Sequence, residues 1–458
     1  MNVFRFKPQM NVIELQDDIN LKYAIQPSKG RLYRAKEEAL RMLRGTVTHH
    51  YGMLRSYISE LMRVDREGRY ELLTEDRIFK ALYIGFSALK KGFMEGCRRI
   101  IGLDGCFLKT HLGGQLLCAI AKDGNNQMFP IAWAVVEVEN ESCWRWFLKI
   151  LLEELGIEDG LGVTFISDQQ KGLQNAVKEL APFAEHRNCA RHVYCNWKKQ
   201  FKGATLKNIF WRAVRSTYRD EFDAAVEEMR QENQSAYDDF MEKDHHRFCK
   251  VFVSTHCNSD MVDNNVSETF NGYIVKARGK HIINMLEDIR VALRERQYKN
   301  LESVKNVKVG DKLCPNIKKK LEKAKYDSRL CRAHPGLGGK FEVQHFDDRF
   351  IVTLGDKSCS CRLWDITGIP CVHALSAINF MKEDSDAYVH ECYSIDKYLR
   401  AYNYGMEPIN GEKMWPKAVG LPVKPPEVRV MPGRPKKKRK RDRDEIEGMK
   451  PQCKELQE

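Results

Sequence analysis

Apolar and polar positions along this chain follow two different periods. Near the front, Tyr51, Leu54, Tyr57, Ile58 and Leu61 recur at helical spacing, behind a charged, helix-prone segment from Ser28 to Leu43. Residues 1–95 therefore read as a helical lead-in. From Arg98 the pattern turns strand-like. Arg99–Asp104 predicts a short buried strand ending in a carboxylate, and Gln115–Ala121 and Met128–Val138 predict two more. Lys122–Asn126, with Asp-Gly-Asn-Asn at its centre, supplies the hairpin turn between the last two. Trp144, Phe147, Leu148, Leu151 and Leu155 then form one apolar stripe, which predicts a helix over 142–155. After the break at Gly160-Leu-Gly162, Val163–Ile166 reads as a fourth strand running into Ser167-Asp168, with a helix from Gly172 to Leu180.

Three meandering strands, a helix, then a parallel strand with its own helix is the element order of ribonuclease-H-like α/β domains. We assign 96–300 to such a core, with a helical insertion at about 196–262. Ile282, Leu286, Ile289 and Leu293 mark a later amphipathic helix. Residues 301–338 are lysine-rich and read as a charged helical linker. Two strand-like runs, Lys340–His345 and Arg349–Leu354, open a small cysteine-containing module at 339–385. A C-terminal segment, 386–421, precedes a tail from 422 to 458 that turns proline-rich and then basic, the composition of a disordered segment.

The net charge of +13 favours a polyanionic partner. No run of about 18 apolar residues appears, which argues against a membrane span, and the N-terminus lacks the apolar stretch of a secretory signal. An intracellular protein is expected, so the 15 cysteines read as reduced thiols, some of them metal ligands.

Two candidate sites follow. Asp104 and Asp168 end two strands that are neighbours in the predicted sheet, and paired carboxylates call for a divalent cation. Glu268, on a later helix, is the best-placed third acid. Such a triad suits phosphoryl transfer with Mg²⁺ or Mn²⁺. An aspartate after a strand also serves as a turn or helix-capping residue, and Ser167-Asp168 fits that role as well. Farther on, Cys359-Ser-Cys361 and Cys371-Val-His373 place four zinc-type ligands within fifteen positions, the complement of a closed structural site. His245, His246, Cys249, His256 and Cys257 lack such spacing and are not expected to bind metal.

The residues around each acid carry a family resemblance. Asp104-Gly-Cys-Phe-Leu-Lys109, the run from Ala119 to Gln127, Phe129–Glu137, Trp144-Arg-Trp-Phe147, Ile166-Ser-Asp168 with Lys171-Gly172, Cys189-Ala-Arg-His192 and Asn264–Asn271 together resemble the core of Mutator-like (MULE) transposases. The resemblance places the family's catalytic Asp–Asp–Glu on Asp104, Asp168 and Glu268. It also puts the family's Cys-x-x-His element on Cys189 and His192, as active-site support. The Cys-x-Cys…Cys-x-His pattern is similar to the SWIM zinc finger that often follows such cores. Two features depart from the family pattern. Gln169-Gln170 stands where a basic pair is common, and the region ahead of Asp104 is short for a module that recognises terminal repeats.

In the tail, Arg434, Lys436, Lys437, Lys438, Arg439, Lys440 and Arg441 form a dense cationic run. It resembles a nuclear import signal and half of an AT-hook, and implies import machinery, a nuclear location and DNA as partners. The expected activity is metal-dependent DNA strand cleavage and transfer, by a chain that acts as a homo-oligomer. The competing expectation is a domesticated, DNA-binding nuclear regulator that no longer cuts.

Overall fold

The computed structural model describes residues 10–44, 47–110, 112–305 and 311–427. The cationic run at 434–441, and the disorder expected for most of the tail, lie outside these residues.

The chain opens with helices α1 (Val12–Tyr23), α2 (Lys29–Arg44), α3 (Val47–Gly52) and α4 (Leu54–Val64). Asn11 caps α1 in a reciprocal capping box with Glu14. The helical expectation for residues 1–95 fails after Val64, because β1 (Arg69–Glu75) and β2 (Ile78–Gly85) form a hairpin. Its two-residue turn, Asp76-Arg77, takes positive φ at both positions (47° and 69°), the backbone that matches strand twist. Aspartate tolerates this conformation, but without a glycine the turn left no strong sequence signal.

Helix α5 (Ser87–Gly96) then leads into β3 (Cys97–Phe107), β4 (Gln115–Asp123) and β5 (Met128–Val136), an antiparallel meander. Asn140 caps α6 (Glu141–Leu155), and Gly156, at φ 60°, ends it. Next come β6 (Thr164–Ser167), α7 (Lys171–Leu180), β7 (Glu185–Asn188) and α8 (Ala190–Trp197). The seven strands make one mixed sheet in the order β1-β2-β5-β4-β3-β6-β7. Strands β3, β6 and β7 run parallel to one another. The meander, helix and parallel-strand order read from the sequence is present, widened by the unforeseen hairpin beside β5.

Helices α9 (Ala204–Arg215), α10 (Arg219–Glu232) and α11 (Gln234–Glu242) build the insertion. They enclose a second core around Trp197, Phe210, Phe240 and Phe248. The chain returns to the sheet through α12 (Asn265–Tyr273) and the long α13 (Ile282–Lys305). The stretch read as a charged linker is more than that. Ile317 and Leu321 of α14 (Pro315–Asp327) are fully buried, so its lysines cover only the outer face. Strand β8 (Cys331–Pro335) already belongs to the small module, pairing with β9 (Lys340–His345), which pairs with β10 (Asp348–Thr353) and through it β11 (Ser358–Cys359). Helices α15 (Leu363–Thr367) and α16 (Val372–Phe380) complete the module.

The C-terminal segment returns to the main sheet. Helix α17 (Ile395–Tyr402) lies on α5, where Gly92 and Gly96 leave room for the Ala401 backbone. Tyr402 donates its hydroxyl proton to Asp123 (2.8 Å), whose other oxygen accepts the Asn125 and Gln127 amides. Burial raises the Asp123 carboxyl to about 6. Residues 422–427, expected to begin the disordered tail, instead run against the hairpin. Lys424 exchanges backbone bonds with Phe79 and Arg77, and Val423 is buried.

A Cβ on Gly96 would stand 2.3 Å from the Ala401 nitrogen and 2.5 Å from the Lys397 carbonyl, backbone atoms that cannot turn aside. Gly96→Ala is therefore expected to lower stability by about 1–3 kcal/mol, despite alanine's better helix propensity. Gly30→Ala, in α2 with nothing within 4 Å, should be neutral or mildly stabilising. Denaturant midpoints of the two variants check the contrast.

Candidate functional site

Asp104 and Asp168 come together because β3 and β6 pair in parallel, with Gly102 opposite Ile166. Two residues beyond that pair, each strand delivers its aspartate at the same end of the sheet. Gly102 also lets α12 approach. A Cβ there would meet the Asn264 Oδ1 at 2.2 Å and the Ser267 Oγ at 2.7 Å. Asn264 in turn donates to the Leu103 carbonyl (2.8 Å), locking the start of α12 onto β3. That contact sets where Glu268 and Asn271 project.

Asp104 keeps a little solvent contact, but protein surrounds it on most sides. Its Oδ1 accepts the Gly105 amide (3.0 Å), and its Oδ2 accepts the Asn271 side-chain amide (2.7 Å). Burial, and then the Asp168 charge, raise its carboxyl from an ordinary 3.8 to about 7, with Glu139 adding to the shift and His192 opposing it. Asp168 accepts the Gln170 amide (3.1 Å), so it also forms the turn into α7. The turn reading and the site reading both apply to it. Gln170 uses its side chain to cap α7 through the Leu173 amide, whereas Gln169 is exposed. The Gln170 amide oxygen is thus committed to the fold.

Glu268 takes a different neighbourhood from the two aspartates. It pairs with Arg191 at 2.6 Å and groups with Cys189 and His192, one donor atom of each lying within 4.8 Å of the others. Among the described residues, Asp104, Asp168 and Glu268 do not form a cluster that tight. Cys189 is fully buried, and its sulfur accepts the Asn264 amide (3.2 Å). Burial raises its thiol, which keeps it a neutral packing group rather than a nucleophile. The Nδ1 of His192 and the Oδ1 of Asn271 are buried without a hydrogen-bond partner. Polar atoms left bare beside paired carboxylates fit a site that takes up a further polar group or ion. Asn271, Arg191 and Glu139 were not singled out from the sequence; Asn271, three residues after Glu268 on a helix, was within reach of a spacing argument.

The second cluster is tighter. Cys359, Cys361, Cys371 and His373 are all buried, with donor atoms within 4.8 Å of one another. The Nδ1 of His373 lies 3.6 Å from the Cys359 sulfur and 3.8 Å from the Cys371 sulfur. Tetrahedral zinc, with bonds of about 2.0–2.3 Å, holds its ligands at about these separations. Hydrogen bonding among the three cysteines favours a thiolate on Cys361, the form that binds metal. Outside the cluster, the His373 Nε2 faces the His345 Nδ1 at 3.2 Å, and Phe350 stacks on the His373 ring at 3.9 Å. Both contacts fix the ring with Nδ1 inward. Arg362 reaches from this module to the Val251 and Val253 carbonyls of the insertion, tying the two together.

Of the remaining cysteines and histidines, Cys257 and His256 approach Glu185. Arg187 already occupies that position, donating to Glu185 (2.9 Å) and to the Cys257 sulfur (3.3 Å). A guanidinium there opposes a metal ion. His245 stacks on Phe222, and His246 packs at a tilt against Phe252 instead.

Removing one ligand by Cys371→Ser is expected to abolish stoichiometric zinc, read by elemental analysis, and to lower the melting temperature. His345→Ala should keep the four ligands but weaken zinc by about 10–100-fold in chelator competition. Retention equal to the unaltered chain would show that His345 does not orient His373.

No curated protein matches the chain. Residues 100–196 match the family model of the MULE transposase domain, a span that covers Asp104, Asp168, Cys189 and His192 and stops short of Glu268. Residues 350–381 match that of the SWIM zinc finger and contain all four clustered ligands. The chain thus carries a MULE transposase domain followed by a C-terminal SWIM zinc finger.

Proposed function

We propose that this protein cleaves and joins DNA strands as a MULE-type transposase, with a ribonuclease-H-like core holding the reactive phosphate against Asp104 and Asp168. The observation that carries the reading is the juxtaposition of these two aspartates on parallel neighbouring strands, inside the matched transposase segment. Partly buried, neighbouring carboxylates are the donor set that hard divalent cations prefer. Mg²⁺ or Mn²⁺ bound there would supply Lewis-acid polarisation of a phosphodiester. Asn271 orients the Asp104 carboxylate by its 2.7 Å bond. Arg191 neutralises Glu268, the third acid of this reading, and a DNA phosphate competing for that guanidinium would release the glutamate toward the aspartates.

The zinc finger, docked on the helical insertion through Arg362, extends the surface available to DNA. The cationic run at 434–441 supplies nuclear import and non-specific phosphate contacts. Joining two DNA ends requires two active sites, which favours a homo-oligomer.

The test is Mg²⁺- or Mn²⁺-dependent nicking of DNA carrying candidate terminal repeats, for the unaltered chain and Asp168→Ala. We expect cutting that falls roughly a thousandfold in the variant, equal to about 4 kcal/mol of barrier. Binding without cutting, unchanged by the substitution, would mark a domesticated DNA-binding regulator instead.

The Asp104 shift gives an independent prediction. A carboxyl raised to about 7 in the fold, but near 3.9 when unfolded, binds its proton more tightly in the native state. Its stabilising contribution is complete below about pH 4 and is lost as pH rises through about 7. Without added divalent cation, Asp104→Asn should therefore flatten the fall in melting temperature across that window. An unchanged slope would place the effect elsewhere.

A further inference from the structure

Strand β3 outruns its parallel neighbour at the candidate site. Pairing with β6 ends at Gly102 and Ile166, whereas β3 continues to Phe107, which lies opposite Gln115 of β4. The tip beyond Asp104 therefore keeps one edge free of strand pairing. Successive residues alternate sides, so Gly102, Asp104 and Cys106 share the face that α12 approaches, and Gly105 and Phe107 share the other. At the tip the Phe107 side chain is 62% exposed. A lone exposed aromatic is ordinary on a protein surface. The groups gathered around this one distinguish it.

The segment after α12 folds back against that tip. Lys109 donates its amide to the Arg278 carbonyl (2.8 Å), and the Arg278 guanidinium donates to the Phe107 carbonyl (3.4 Å). Burial raises the Cys106 thiol to about 11, and Arg278, charged and hydrogen-bonding beside it, opposes that shift. The guanidinium thus lies against Cys106, on the Asp104 face and two residues farther along the strand. Its Nε is buried without a hydrogen-bond partner, so part of its fork of donors is unspent by the fold. Among the described residues neither Arg278 nor Lys109 forms an ion pair with a carboxylate, whereas nearby Lys280 pairs with Asp288. Cations without acidic partners beside an exposed aromatic ring are the combination that grips a nucleic-acid strand, the cations on phosphates and the ring on a base.

We propose that the β3 tip grips the DNA strand flanking the cut: Arg278 and Lys109 hold its phosphates, and an unpaired base stacks on Phe107. The placement relative to the cut rests on reading Asp104 and Asp168 as the pair that meets the reactive phosphate. Residues of a strand rise about 3.3 Å each, close to the roughly 3.4 Å per nucleotide of one DNA strand. Arg278, against Cys106, therefore meets a phosphate about two nucleotides from the cut, and Phe107 a base within about three. Stacking needs a free base face, so the flank is unpaired at that point. A fully paired end binds here through its phosphates alone.

The experiment is fluorescence anisotropy of the zinc-loaded full chain on two DNA probes, without added divalent cation so that nothing is cut. One probe is a blunt mixed-sequence duplex, and the other is the same duplex with a short single-stranded overhang. The variants are Phe107→Ala, Phe107→Trp and Arg278→Gln. Each keeps the basic tail, whose contribution cancels in the comparison. Phe107 is exposed, so its truncation spares the core, and zinc content with melting temperature checks that Arg278→Gln is folded. We expect the overhang probe to bind more tightly than the blunt one. Phe107→Ala should cost about tenfold on the overhang and less than about threefold on the blunt end, while Phe107→Trp keeps the preference. Arg278→Gln should weaken both probes and lower the salt dependence by about one phosphate contact. An overhang preference that survives Phe107→Ala, or no preference in the unaltered chain, overturns the stacking role. Equal losses on both probes in Phe107→Ala also overturn it and assign the tip to duplex DNA. A loss confined to the overhang, in a chain that cuts no DNA with Mn²⁺, upholds the grip and overturns the transposase reading alone.

Discussion

Parallel pairing of β3 with β6 is the constraint on which the rest of this molecule depends. Strands joined in parallel deliver their C-terminal ends to the same edge, so residues two positions past Gly102 and Ile166 must emerge side by side. The connection between them needs a crossover, and α6 provides it, packed through Trp144, Phe147 and Leu151. Every other feature of the site is arranged around that edge. Helix α12 comes in over Gly102, and Glu139 comes in over Gly105, each using a missing side chain as its point of entry.

Electrostatics then sets the character of the site. Asp104 cannot share its surroundings with Asp168 and Glu139 at no energetic cost, and its raised carboxyl records that repulsion together with its burial. Helix α8, which leads into the insertion and packs on its core, supplies the compensating groups. Arg191 neutralises Glu268, and His192 offsets part of the charge on Asp104. Insertion and core are thus electrostatically coupled, though their apolar cores are separate. The zinc finger joins the same assembly, because Ile366 enters the insertion's core and Arg362 caps two of its carbonyls. The rest of the module's apolar residues, Phe341, Val343, Val352 and Trp364 among them, join the main core, and its four clustered Cys and His side chains are the donor set of a further anchor.

Much of this could be read in the chain. The stripe of α6, the Asp-Gly-Asn-Asn turn and the run into Ser167-Asp168 are local patterns, and local patterns follow from backbone geometry and side-chain periodicity. The Cys/His cluster was legible for the same reason, since Cys359, Cys361, Cys371 and His373 lie close in sequence. The β1–β2 hairpin was not, because Asp76-Arg77 turns without glycine and its strands lack strict alternation. The buried face of α14 was hidden beneath its lysines, and Val423 and Lys424 take their place from a strand far away in sequence.

What the sequence determined by itself was the identity of the chemistry: two aspartates at strand ends, four soft ligands in a row, and the motifs of a transposase core. Only the tertiary structure decided which acids keep company. Glu268 was chosen by motif order, yet its carboxylate is held by Arg191, seventy-seven positions away. Glu139 carried no motif of its own and became a neighbour of Asp104 only when the sheet brought Gly105 beneath it. The physical reason is that ion pairing and desolvation act through space across distances of a few ångström. Periodicity along the chain reports which face a residue takes, but not which distant charge will meet it there.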